Sequence, residues 1–153
     1  MGLSRWLLIT AVFVGSIGAG YFLFSSVGSL GPINAPELDW RALRDYDYIK
    51  GEAPASLKAL DGQMVKMAGF MVPLEDDMRN ATEFLLVPTP QACIHVPPPP
   101  PNQMILVDMQ SGHETKVTSG PIWIYGTLKL VAKKHQYGES SFQMSGLQVE
   151  PYR

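Results

Sequence analysis

From Gln63 to Pro73 almost every position is apolar, with Val65, Met67, Gly69 and Met71 alternating with Lys66, Ala68, Phe70 and Val72. This period predicts a strand that is apolar on much of both faces, and Gly69 in its middle predicts a bulge or tight bend. The same reading predicts strands over Thr82 to Val87, Gln103 to Met109, Glu114 to Thr118, Ile122 to Val131 and Ser141 to Glu150, with turns at Ser111-Gly112 and Tyr137-Gly138. Ahead of them, Pro36 and Glu37 followed by Leu38, Trp40 and Leu43 predict a short helix opened by proline in its first turn. A second helix is predicted over Pro54 to Leu60, ended at Asp61-Gly62 by a glycine cap. Five or six short strands behind small helices define a mainly-β fold, a small OB-like antiparallel β-barrel with short N-terminal helices. Gly126 supplies a second point of sharp curvature. An open sandwich is the alternative architecture.

The first part of the chain follows a different pattern. Trp6 to Ser26 contains no charged residue, which matches the ~20 apolar residues that cross a bilayer. Arg5 stands just before it as the positive flank that stays in the cytoplasm. The run is longer than the ~7–15 apolar residues of a signal peptide core, which favours an uncleaved anchor, while the small residues Gly18, Ala19, Gly20 and Val27 to Ser29 leave cleavage open. The expected organisation is an anchor or signal peptide over 1–27, a Gly/Pro/Ser-rich linker over 28–35 and the barrel over 36–153. The expected location is the bacterial inner membrane, single-pass with the barrel in the periplasm, or a secreted periplasmic form after cleavage.

Charge and cysteine content narrow the chemistry. Twelve basic and fourteen acidic residues give a net charge of −2, so no global electrostatic attraction to nucleic acid exists. All fourteen acidic residues lie beyond the apolar run, so the exported part alone is slightly more acidic. With Cys93 as the single cysteine, no intramolecular disulfide forms, and a cysteine-based metal site must recruit other residue types.

Cys93 lies in the one segment that reads as neither strand nor ordinary loop. Five prolines, Pro97 to Pro101, impose an extended polyproline II rod without backbone donors. Cys93 and His95 stand just before it, and on an extended chain their side chains share a face. Thiolate and imidazole are favoured donors for zinc and copper. The same pair also suits a reactive thiolate assisted by a histidine. Against both stands the cysteine as a small buried hydrophobe, with the prolines as a spacer or a docking segment for a protein partner.

These words have a likeness. Met71-Val72-Pro73-Leu74-Glu75, Glu83-Phe84-Leu85-Leu86-Val87-Pro88, the run ACIHVPPPPPNQ from Ala92 to Gln103, and Gln143-Met144-Ser145-Gly146 resemble the bacterial family called domain of unknown function 3299. The resemblance covers Leu57 to Tyr152. It implies an exported or lipid-anchored envelope protein, similar in some members to accessory components encoded beside ATP-binding-cassette transporters linked to zinc acquisition. The family name by itself establishes no enzymatic activity. This chain departs from lipoprotein-like relatives in lacking a lipobox cysteine near its start, so a protein anchor stands in for the lipid.

The resemblance makes the Cys93 to Gln103 word the centre of interest. A tetrahedral zinc site needs two further donors, or one and a water. Glu75 and Glu83 fall within the family's words and are the favoured carboxylates, ahead of Asp76 and Asp77, which suit a solvated turn. His113 in its Gly-containing turn is the favoured imidazole, while His135, beside Lys133 and Lys134, reads as solvated. The thioethers of Met104, Met109 and Met144 raise copper as a lesser candidate than zinc. Pro97, Pro98, Pro99 and Pro100, with Asn102 and Gln103, are expected to position the loop. The expected function is a non-enzymatic zinc-binding accessory to a transporter, tethered to the membrane. A metal-free interaction module is the alternative, and a Cys/His enzyme, for which no orienting third group is identifiable, the weakest reading.

Overall fold

The computed structural model describes residues 34–75, 79–90, 98–110 and 113–152. The expected membrane segment lies outside them, and among the described residues no helix is long and apolar enough to cross a membrane.

After a two-residue strand β1 (Glu37–Leu38), helix α1 spans Trp40–Arg44. It starts later than Pro36 because Asp39 is its N-cap, accepting a hydrogen bond from the Arg41 amide. The side-chain acceptor outcompetes the proline signal, and Pro36 to Leu38 instead pair with strand β2 (Met64–Pro73): Lys66 N donates to Pro36 O, and β1 runs parallel to β2. Helix α2 (Ala55–Lys58) stops within one turn. Gly62, with φ of 74°, lets the chain reverse there into β2.

The remaining strands are β3 (Asn80–Ala81), β4 (Glu83–Val87), β5 (Ile105–Met109), β6 (Thr115–Lys116), β7 (Pro121–Lys129), β8 (Lys133–His135), β9 (Gly138–Ser140) and β10 (Phe142–Pro151). Strands β2, β4, β5, β10 and β7 pair in that order, and β7 pairs back to β2, closing a five-stranded barrel. The OB-like barrel is therefore present, with a correction to its strand directions. β5 and β10 run parallel over Phe142↔Ile105 to Gly146↔Met109, while the other four joins are antiparallel. A parallel join needs a long connection, here filled by β6, β7 and the β8–β9 hairpin.

Closure rests on β2, which pairs with β7 through Met64 to Phe70 and with β4 through Phe70 to Pro73. Gly69 sits at this change of partner in unbroken register rather than in a bulge. It is required by close approach, since a Cβ there would lie 2.8 Å from Leu86 Cγ. The register shift falls instead in β10, between Gly146 and Gln148, opposite Gly126 and Tyr125. A Cβ on Gly126 would stand 2.5 Å from Ser145 O, so the two strands approach there as only glycine allows.

Inward side chains fill the barrel: Val65, Met67, Phe84, Leu86, Ile105, Val107, Ile122, Ile124, Leu128, Phe142 and Met144 are buried together with Leu43 and Leu57 of the two helices. Trp40 ties α1 to the wall by donating from Nε1 to Ala68 O at 2.7 Å. Leu85, Val87, Met104 and Leu106 form a second buried cluster with Phe70, Val72 and Leu74. Because Phe84 and Leu86 belong to the first cluster and Leu85 and Val87 to the second, β4 is buried on both faces, which explains its unbroken apolar run.

Candidate functional site

β4 ends at Val87 and β5 begins at Ile105, and Leu86 pairs with Ile105. The proline-rich connection thus leaves and returns at one point of the barrel wall. Cys93, His95 and Pro97 lie outside the described residues. On the returning side, Pro98 and Pro100 are exposed and Pro99 is half-buried. Pro100 has φ −63° and ψ 155°, the polyproline II conformation, and Pro101–Gln103 then form one 3-10 turn.

This turn is held from three sides. Asn102, only 8% exposed, donates from Nδ2 to Arg44 O and to Tyr46 O, both at 3.1 Å. Carbonyls at a helix C-terminus lack partners within the helix, so Asn102 satisfies groups that α1 leaves open. Gln103 donates from Nε2 to Asn102 O at 2.8 Å and to Trp40 O at 3.4 Å. Ser141 N, at the entry of β10, donates to Pro101 O at 2.9 Å. The sequence order has a chemical logic: prolines offer carbonyls but no N–H, and the two amide side chains that follow supply the missing donors.

Glu75, Glu83 and His113 belong to the other end of β4 and β5. Four residue steps separate Glu83 from Val87, about 13 Å along a strand. Glu75 Oε1 accepts from the Thr82 amide at 3.1 Å, the Glu83 amide at 2.9 Å and the Thr82 hydroxyl. The Glu75 carboxylate therefore pins the start of β4 to the end of β2. Glu83 is exposed and stands in register opposite Asp108, a second exposed carboxylate. His113 is exposed, with its amide donating to Gln110 O. Among the described residues, no group of three His, Cys, Asp or Glu is arranged to hold a metal ion.

His135 differs from the solvated residue its lysine neighbours suggest. Its Nδ1 accepts from the Tyr137 amide at 3.3 Å, which leaves the proton of the neutral ring on Nε2. That Nε2 is buried without a hydrogen-bond partner among the described residues. Burial holds the imidazole pKa below its ordinary value, against an opposing pull from Glu139. Beside it, Gln136 Nε2 donates to Leu74 O at 3.3 Å, which ties the hairpin tip to the residue that follows β2.

Taken together, these features define the class: an OB-like barrel whose β4–β5 connection is a proline-rich loop clamped at its exit by the side-chain amides of buried Asn102 and half-buried Gln103. The chain belongs to the family described as protein of unknown function (DUF3299), whose family profile matches residues 44–151. The matched stretch contains both ends of the β4–β5 pair. Its fold is similar to the crystal structure of a DUF3299 family protein from Pseudomonas aeruginosa PAO1, solved at 2.45 Å resolution. The two are 32% identical, the likeness covers 78% of this chain and 98% of that one, and the TM-score is 0.60. No curated protein matches the chain.

Proposed function

We propose that this protein is a non-enzymatic binding module of the bacterial envelope, tethered by its N-terminal apolar segment, whose barrel holds out the Ala92 to Gln103 word as a zinc-binding element serving a transporter. The observation that supports it is the clamp: Asn102, Gln103 and Pro101 join the end of the proline run to α1 and β10 through hydrogen bonds, those of the two side-chain amides partly buried. A segment ordered before binding loses less entropy when a ligand arrives. Cys93 and His95 are the donors, since zinc prefers thiolate and neutral imidazole. The test is equilibrium dialysis of the full chain in detergent. The wild type takes up about one zinc at ~micromolar affinity, and Cys93→Ser with His95→Ala abolishes uptake. Failure of the wild type to bind zinc removes this reading.

The exposure of Pro98 and Pro100, the latter with an extended backbone, favours a second reading, a docking edge for a protein partner. Thiol labelling separates the two: zinc protects Cys93 from alkylation if it is a ligand and leaves its rate unchanged if the loop serves only for docking.

A further inference from the structure

At the end of the barrel where β2 starts and β7 stops, the segment between the two helices forms a closed loop that the proposed function does not use. Asp47 N donates to Glu52 O at 2.9 Å, Glu52 N to Asp47 O at 3.1 Å and Gly51 N to Asp47 O at 2.8 Å. Asp47 Oδ1 accepts from the amides of Ile49 and Lys50, both at 3.0 Å. The loop thus bonds its own backbone, yet it holds Ile49 85% exposed and Tyr48 45% exposed. At its foot, Gly51 lines a depression with Lys58, Asp61 and Leu130, and Val131, the residue after Leu130, is 44% exposed. Single exposed hydrophobic side chains are ordinary, but here three large ones are offered to solvent at one end of the barrel.

The surroundings of this loop limit what covers it. Lys50 in the tip, Lys58, Lys129 at the end of β7 and Lys133 at the base of the β8–β9 hairpin are all exposed. Of the nearby acids, Asp47 and Asp61 turn an oxygen to backbone amides, Asp61 Oδ1 accepting from Leu130 N at 2.9 Å, while Asp45 and Glu52 are exposed. The opposite end carries the exposed carboxylates Glu83 and Asp108. The chain also enters the barrel at the end that bears the tip, since Glu37 pairs in parallel with Lys66 and the residues ahead of it lie toward Met64. From Ser26, the last residue of the uncharged run, eight residue steps lead to Asn34, a reach of at most about 29 Å. A specific protein interface takes ~800 Å² from each partner, more than so narrow a tip supplies. A tyrosine, an isoleucine and a lysine in succession instead match the layers of a bilayer surface: the phenol among the headgroups, the alkyl group below them and the ammonium at the lipid phosphates.

We infer that the tip at 48–50, with Val131 at the same end, is a lipid-contact site that seats this end of the barrel on an anionic membrane surface, the lysines answering the lipid phosphates. The contact rests on the proposed tether, which brings the barrel within reach of the bilayer. The experiment places the full chain, labelled at its isoleucine δ1 methyls, in nanodiscs of phosphatidylcholine and phosphatidylglycerol, with and without a lipid carrying a nitroxide on its headgroup. The expected NMR result is loss of the Ile49 methyl signal when the nitroxide is present, while Ile122, buried in the barrel, keeps its signal. Tyr48→Ser with Lys50→Gln, which spares the backbone bonds of the loop, is expected to return most of the Ile49 signal. Discs of phosphatidylcholine alone are expected to return part of it. Failure of the chain to co-elute with the discs removes the tether, and this contact with it. A chain that co-elutes yet keeps its Ile49 signal, or loses it equally in the double variant, leaves the tether standing and overturns the contact alone. Broadening of Ile49 that grows with protein concentration in discs free of nitroxide assigns the tip to a second copy of this chain and overturns the contact likewise.

Discussion

The two ends of the β4–β5 pair are built by opposite means. At the proline end, a side chain that is almost fully buried, Asn102, bonds to backbone groups 56 and 58 residues away. At the acidic end, Glu75 bonds to Thr82 and Glu83, seven and eight residues along the chain, at an exposed site. Both arrangements supply partners to backbone polar groups, but the cost of losing them differs. The bonds of Asn102 to the Arg44 and Tyr46 carbonyls are partly buried, so water replaces them less readily than it replaces a bond at an exposed amide. The proline end is therefore held by long-range bonds at Asn102, and the acidic end is a local staple.

The contrast can be broken most directly at Asn102. Asn102→Ala leaves the Arg44 and Tyr46 carbonyls without their donor and is expected to cost about 2–3 kcal/mol in urea unfolding, with unchanged m-value. A loss under ~0.5 kcal/mol, the range of an ordinary surface change, would show that the clamp contributes no more to stability than the acidic end does. Glu75→Ala is expected to cost about 1 kcal/mol, because water replaces the carboxylate at an exposed site. If it proves as costly as Asn102→Ala, the two ends are equivalent and the comparison fails. Glu83→Lys has the opposite sign: it replaces a like-charge pair across the strands with an opposite one facing Asp108, and it should add about 0.5 kcal/mol at low salt. The gain should shrink at high salt, where exposed charges are screened.

The smallest effect is expected at His135. Its folded pKa lies below the ordinary imidazole value of 6.5 because burial disfavours the charged ring. The unfolded chain then binds the proton more readily, so stability rises with pH in this window. The His135 contribution is full above the unfolded pKa and is lost as pH falls through the folded one. Comparing pH titrations of stability for the wild type and His135→Gln checks this. A slope unaffected by the substitution would mean that the ring is solvated after all.

How far the chain could be read without its fold varies from element to element. Strands β2, β4, β5, β7 and β10 are legible because burial imposes a period of two or an unbroken apolar run. The β8–β9 hairpin is not, since Lys133, Lys134 and His135 carry no apolar pattern and the pairing is stated only by the turn at Tyr137-Gly138. The start of α1 is misread because proline at Pro36 and aspartate at Asp39 are both helix-opening signals, and only pairing of the first with β2 decides between them. The sequence favours Glu75 as a metal-ligating carboxylate, whereas in the fold its Oε1 accepts three hydrogen bonds. Gln136 bonds to Leu74, 62 residues away, a contact that no local pattern encodes.

Sequence alone determined that a mainly-β, OB-like barrel forms, that residues 6–26 are uncharged, and that one cysteine stands beside a proline rod followed by two amides. These are properties of local chemistry: side-chain period, charge and the fixed φ of proline. Tertiary structure alone decided that β5 and β10 run parallel and that Asn102 closes the C-terminus of α1. It also decided that the favoured carboxylates lie at the opposite end of the strands from the rod's exit. Those facts depend on which distant segments meet, and the decision belongs to the burial of apolar surface and the satisfaction of buried polar groups across the whole barrel.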